Sequence, residues 1–321
     1  MTSKIIGVWS NKGCETSEKE PLYTKCSCDH MTNYAVLMWL GEKAPEDREA
    51  INILTKVGCL VSIAALALAV GLLLYLRSTL SSERIIIHMH LMTVTLIALL
   101  LFLVGIDKTE NKLVCQFITI GLHFFYMSMF SWMLVEGIHL YRQIVAVFDS
   151  EKSRIWVYFA LGWGIPIIVV GITSGIFFNQ YKDHEICWLE VKDNSIWAFL
   201  GPIIPILLVN VAVLFMVLRI VMSAAKLQQE KPIFNSVKKG ARSSLLLLPI
   251  LGTTWIVGYF QHNLLSLQYV FVTLNAFQGF FMALFHCFMS GEVNSALKQK
   301  IRRVKESSLG GASTVDSVRP L

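Results

Sequence analysis

The sequence predicts an all-α membrane protein, a bundle of seven transmembrane helices with its N-terminus outside the cell, and three observations carry that prediction. The 321 residues are 55% hydrophobic and 16% charged, more apolar surface than one soluble core hides without exposing large patches. The apolar residues fall in uninterrupted runs of about twenty, the length that crosses a hydrocarbon core at about 1.5 Å per helical residue. Lysine and arginine concentrate in alternate loops, as they do on the cytoplasmic side of membrane proteins.

Seven such runs are present, at 53–76, 85–106, 114–141, 155–178, 196–222, 243–263 and 269–289. Each is expected to be a helix. An unpaired backbone group in hydrocarbon costs several kcal/mol, so helices and closed barrels alone span a bilayer, and these runs lack the alternation of barrel strands. With the N-terminus outside, the inner loops hold Arg77 and Arg84, then Arg142, Lys152 and Arg154, then five basic residues between Lys226 and Arg242. The outer loops hold Lys108, Lys112, Lys182 and Lys192, and the last outer loop has none. The formal charge of +6 therefore follows from topology and contact with anionic inner-leaflet lipid, not from nucleic-acid binding.

Around the bundle, expected at 53–290, lie four further segments. Residues 1–40 are polar and carry Cys14, Cys26 and Cys28 before an apolar stretch at 34–40; residues 41–52 form a connector. That connector reaches at most about 40 Å, which tethers whatever precedes it over the outer mouth. In 291–305, Val293, Leu297, Ile301 and Val304 share one stripe at helical spacing opposite basic residues, the pattern of a helix lying on the inner membrane face. Residues 306–321 are rich in Ser and Gly and are expected to be disordered. Met1 is followed by Thr2, Ser3 and Lys4, so no cleavable signal sequence is expected. Either the first span directs insertion, or the chain is a fragment of a longer precursor.

Cys115 opens the third span on the outer side, and Cys187 lies in the second outer loop beside Trp188. Disulfides persist in that compartment, so the two are expected to be bridged. Cys59 and Cys287 fall inside spans and read as packing residues. Glu136, near the inner end of the third span, needs a partner, because a carboxylate at a helix centre costs about 2.5–3.5 kcal/mol on insertion scales. His88 lies at similar depth in the second span and can donate to it; the alternative is that each faces water at the inner surface. His90 faces elsewhere on the helix. At mid-depth, Trp255 in the sixth span and Asn275, Gln278 and Gly279 in the seventh are candidates for a polar switch; an ordinary interhelical contact is the competing reading. Pro166, Pro202, Pro205 and Pro249 mark helix kinks.

The most specific string in the chain runs Cys26-Ser27-Cys28-Asp29-His30-Met31-Thr32-Asn33-Tyr34-Ala35-Val36-Leu37-Met38, preceded by Trp9-Ser10 and Gly13-Cys14. It resembles the proteolysis site of adhesion G-protein-coupled receptors. The spans are similar to that family too, through His123, Trp132-Met133, Glu136-Gly137, His139-Leu140-Tyr141, Cys187-Trp188-Leu189, Gly252-Thr253-Thr254-Trp255 and Asn275-Ala276-Phe277-Gln278-Gly279. The likeness covers nearly the whole chain, in the family's order. It implies self-cleavage between Met31 and Thr32, in which His30 removes the Thr32 proton and the hydroxyl attacks the Met31 carbonyl. Met31 stands where the family usually has leucine, a swap of similar volume. The resemblance also implies a Cys14–Cys28 bridge, which leaves Cys26 without its mate. Self-cleavage needs a strained, preorganised turn, and the short segment before Cys14 is not expected to supply one. The chain is accordingly not expected to act as an enzyme.

Tyr34, Val36 and Met38 share a face if the next segment is a strand; Tyr34, Leu37 and Met38 do if it is a helix. The resemblance implies both states. In the family, Thr32, Asn33, Tyr34, Ala35, Val36, Leu37 and Met38 would form a strand that, once released, enters the outer pocket as a tethered agonist. Trp188, Trp197 and Trp255 are then candidate pocket aromatics, and the basic inner loops face a heterotrimeric G protein. The implied protein is a multi-pass plasma-membrane receptor with an unidentified extracellular adhesion ligand. It requires no cofactor and no metal ion. A channel or transporter would carry more intramembrane charge or inverted halves. A retinal protein would need a lysine in the seventh run, which has none. The competing function is a membrane-anchored, self-cleaving adhesion protein with little signalling of its own.

Overall fold

The computed structural model describes residues 14–19, 24–28, 45–80, 82–145, 154–181, 186–189, 197–226 and 265–313. The chain divides into two compact units, Met1–Glu46 and Asp47–Leu321. The first contains an antiparallel hairpin of β1 (Cys14–Lys19) and β2 (Thr24–Cys28). Cys14 stands opposite Cys28 in the ladder, and the register shifts between Thr16 and Glu18. His30, Met31, Thr32 and the rest of the expected agonist, through Met38, lie outside the described residues.

The second unit is helical. Among the described residues, five helices are long and apolar enough to cross a membrane, and a sixth span is made by two helices joined at a 45° bend. The sixth expected run, 243–263, with Pro249 and Trp255, lies outside the described residues. The first span is a helix over Pro45–Leu76. It begins inside the stretch expected to be a connector, because Pro45 fixes a helical φ at a position that needs no N–H donor. The second span, Glu83–Gly105, starts at Ser82, whose side chain accepts from the Ile85 N–H. The third, Lys112–Val145, starts where Asn111 Oδ1 accepts from the N–H groups of Leu113 (3.0 Å) and Val114 (3.3 Å). These short polar caps satisfy N–H groups that the first turn leaves open.

The fourth span is continuous but not uniform: α over Ile155–Phe159, π over Ala160–Gly164, α over Ile165–Ile176. Pro166 has no N–H to return to the preceding turn, and the widened π segment precedes it. The fifth span, Trp197–Lys226, carries Pro202 and Pro205 inside the helix. The seventh is broken at Phe277 between Leu265–Ala276 and Gln278–Ala283, then passes into a π segment over Leu284–Phe288. The bend thus lies two residues before Gly279.

Half of the most apolar stretch of the third span is buried, against 22% for the fourth. The third is central and the fourth peripheral. Ile167, Ile168, Ile172 and Ile176 are all more than half exposed, the apolar face expected of a helix against lipid. A last helix runs Gly291–Ser313. The tail expected from 306 onward is therefore helical as far as Ser313, and the Arg302–Glu306 pair (2.8 Å, spaced by four) supports its continuation. On its apolar stripe Val293 is buried and Ile301 and Val304 are more than half exposed. Its first turns thus pack on the bundle and its later turns present apolar residues outward, as an interfacial helix does. Lys300 donates to the Tyr75 carbonyl and lies 3.9 Å over the Tyr75 ring, fastening this helix to the inner end of the first span.

Candidate functional site

A disulfide joins Cys115 to Cys187, so the second outer loop is pinned to the outer end of the third span. The pin is reinforced. The Cys187 N–H donates to the Ile106 carbonyl (2.8 Å), and Gln116 Nε2 donates to the Phe178 carbonyl (2.9 Å). Tyr181 is a buried hub whose hydroxyl hydrogen-bonds with His123 Nδ1 (3.0 Å) and Thr173 Oγ1 (2.6 Å). Burial raises the Tyr181 phenol above its ordinary value and the Thr173 bond pulls the other way; the group stays neutral at physiological pH. In this frame Trp188 packs edge-on against Tyr126 (5.8 Å) and Phe199 (5.3 Å). Trp197 does not join them: it begins the fifth span and is 57% exposed.

Between the first, second, third and seventh spans lies a cavity of about 230 Å³, lined by Thr95, Tyr126, Met129 and Phe271 among others, with Asn275 and Gln278. The volume falls below the roughly 300–1,000 Å³ of drug-sized pockets. It suits one or two apolar side chains. Tyr126 links Trp188 to the cavity, since its ring meets the indole and also forms part of the wall.

The floor of the cavity is the break in the seventh span. A bend releases backbone groups from the helical ladder, and in hydrocarbon these need replacement partners. Ser62 of the first span supplies them: its hydroxyl donates to the Ala276 carbonyl (2.6 Å) and accepts from the Phe280 N–H (3.2 Å). Gly279 lets the helices close on this contact, because a β-carbon there would lie 2.6 Å from Leu66 Cδ1 and 2.9 Å from Ser62 Cβ. Gln278 Nε2 donates to Met129 Sδ (3.4 Å) and Asn275 Nδ2 to the Phe271 carbonyl (2.8 Å). The seventh span is thus joined to the first and third at its bend.

Below the bend, His88 Nε2 lies 3.3 Å from Glu136 Oε1, so the structure brings the two expected partners together. A third residue completes the group: His286 Nε2 lies 3.5 Å from the same oxygen, and the two imidazole centroids are 3.8 Å apart. All three are buried. His286 sits in the π segment over Leu284–Phe288, where the extra residue per turn changes which side chains face inward. His90 turns the other way and stacks on Trp132 at 4.7 Å. At the inner rim, Tyr158 joins the third and fourth spans, accepting from Arg142 Nη1 (2.8 Å) and meeting His139 Nδ1 at 3.3 Å.

Sequence reasoning missed Ser62, Tyr181 and His286. A lone serine in an apolar run has no spacing signature. An ionisable His286 inside the seventh run was itself a signal, because such residues face the bundle interior. Trp255 lies outside the described residues, and so do the side chains of Cys14 and Cys28.

Comparison with known proteins gives a consistent set of likenesses. Residues 48–282 match the family described as 7 transmembrane receptor (Secretin family), and residues 2–42 match GAIN subdomain B. The chain is 36% identical over 303 residues to adhesion G protein-coupled receptor L1 of Bos taurus, covering 93% of this chain and 20% of that protein. It is 36% identical over 306 residues to adhesion G-protein coupled receptor D1 of Homo sapiens, covering 92% and 35% respectively. With adhesion G protein-coupled receptor L4 of Homo sapiens the identity is 34% over 302 residues, covering 93% and 44%. The chain therefore spans less than half the length of each of these relatives.

Proposed function

Because the chain belongs to the secretin family of seven-transmembrane receptors, and within it to the adhesion receptors, we propose that it is a plasma-membrane receptor that activates heterotrimeric G proteins, with residues 32–38 as its tethered agonist. The observation that carries this reading is continuity along the seventh span. Gln278 and Ala276 belong at once to the cavity wall and to the bend, and His286 lies eight residues beyond Gln278, about 12 Å further down a helix. A side chain wedged into the cavity presses on the bend. A change at the bend shifts the register of His286 against His88 and Glu136.

Such an element is bistable rather than continuously deformable, because a close-packed interior resists partial adjustment. An agonist shifts it only by binding one arrangement better than the other. An apolar segment held by a short connector has an effective concentration in the mM range, so weak intrinsic affinity suffices. In this reading the apolar side chains of Leu37 and Met38 fill the cavity, and the His88–Glu136 contact restrains the inner side. The Met31–Thr32 bond is the family-type cleavage point in a form that carries a full upstream domain.

The test is nucleotide exchange on purified heterotrimeric G proteins by the chain reconstituted in lipid. Exchange above the receptor-free rate with at least one G-protein class supports the reading. A folded, membrane-inserted chain that leaves every class at the receptor-free rate contradicts it and favours an adhesion anchor.

A further inference from the structure

We propose that His88, Glu136 and His286 form a transition-metal site of the zinc type, one that ties together the inner halves of the second, third and seventh spans. The ligand atoms of these three residues all lie within 4.8 Å of one another. Zinc is held tetrahedrally at about 2.0–2.2 Å from imidazole nitrogen and carboxylate oxygen, which sets neighbouring ligand atoms about 3.4 Å apart. The two nitrogen-to-oxygen distances are 3.3 and 3.5 Å.

The unpartnered imidazole nitrogens favour a cation over a simple hydrogen-bonded triad. At these distances an imidazole N–H could reach Glu136 Oε1, yet neither Nε2 has the alignment of a hydrogen bond to it. Both nitrogens of His88 and of His286 are without a hydrogen-bond partner among the described residues, although the two residues are 1% and 0% exposed. Buried nitrogens left in that state are costly. A metal ion between the three atoms would give both imidazoles a partner at once. One carboxylate and two neutral imidazoles balance a divalent ion to within one charge. Imidazole-rich sets of this kind select zinc, cobalt, nickel or copper over magnesium and calcium.

The three ligands come from three different helices, so metal binding favours the arrangement in which they converge. By mass action, an ion that binds this arrangement stabilises it. The site stands on geometry alone; its effect on signalling rests on the receptor reading above.

The experiment uses the full chain in lipid nanodiscs with the metal alone as probe. Cobalt(II) is expected to give the visible d–d bands of a tetrahedral site, saturating at one ion per chain, displaced by zinc and not by excess magnesium. Zinc is also expected to raise the unfolding temperature. His88→Ala and His286→Ala should each weaken binding at least tenfold. If a variant does not fold, the wild-type spectrum still decides. Absence of tetrahedral bands in the wild type overturns the site, and so do bands that persist unchanged in both folded variants. A metal-bound chain with no nucleotide exchange under any condition counts against the receptor reading and leaves the site intact. Under that reading, zinc lowers basal exchange in the wild type and not in His286→Ala.

Discussion

Trp132 and Gly162 meet closely enough that the fourth span has no room for a side chain: a β-carbon on Gly162 would lie 2.4 Å from Cε2 of the indole. The contact fixes the fourth span on the third, where Trp132 is wholly buried and also carries the His90 ring. Gly162→Ala is expected to lower stability by about 1–3 kcal/mol, the usual penalty for overpacking. Gly164, with nothing within 4 Å of its added β-carbon, is the control. There alanine should be neutral or raise the melting temperature, since alanine favours helix over glycine by up to about 1 kcal/mol. Thermal unfolding of the two purified variants checks this; equal melting temperatures would contradict the packing.

Ser62 carries two backbone groups that the bend in the seventh span releases. Removing the hydroxyl leaves a carbonyl and an N–H to find other partners. Side-chain hydrogen bonds between membrane helices average about 0.6 kcal/mol and reach about 1.7. Ser62→Ala should therefore destabilise by about 1–2 kcal/mol, and on the proposed mechanism it should also change basal nucleotide exchange. A variant with unchanged stability and unchanged exchange would remove Ser62 from the mechanism.

Glu136 of the third span meets His88 of the second and His286 of the seventh. Glu136→Gln keeps the shape and removes the charge, and His88→Ala removes one partner. Each should shift basal exchange at matched surface expression. If both leave expression and exchange as in the wild type, the cluster is a packing detail and not a restraint.

The bridge between Cys115 and Cys187 closes 72 residues of chain. In the loop-entropy picture a closure of that size is worth up to about 4 kcal/mol, less here because inserted spans already restrict the reduced chain. Peptide mapping without reduction should find the two joined. Reduction should lower the melting temperature. Recovery of both cysteines alkylated without prior reduction would contradict the bridge.

Much of this architecture was legible because the bilayer imposes a length and a polarity on each run. The described spans begin and end within a few residues of the expected positions, apart from the early start of the first helix at Pro45. Glu136 and His88 could be matched because a buried carboxylate demands a partner and depth can be counted along two helices. The same count in the seventh span leads to His286, but only a π segment explains why it faces inward. Ser62 was not legible at all, since its role exists only where the partner helix breaks. Trp197 lies at the outer start of the fifth span and is more than half exposed; aromatic type alone does not say which face of a helix end such a residue takes.

The central claim is that residues 32–38 hold the outer cavity in the signalling arrangement. Loss of a Leu or Met side chain from an apolar pocket typically costs about 2–5 kcal/mol in buried cores, enough to move a population balanced within a few kcal/mol. Leu37→Ala and Met38→Ala should each lower basal exchange, and Asn33→Ala, on a different helical face, should lower it less. The most direct measurement compares basal nucleotide exchange by the full chain with that of a variant lacking residues 32–40, at matched membrane expression. The account predicts a fall toward the receptor-free rate on deletion. Exchange that persists at the full-chain rate would contradict it.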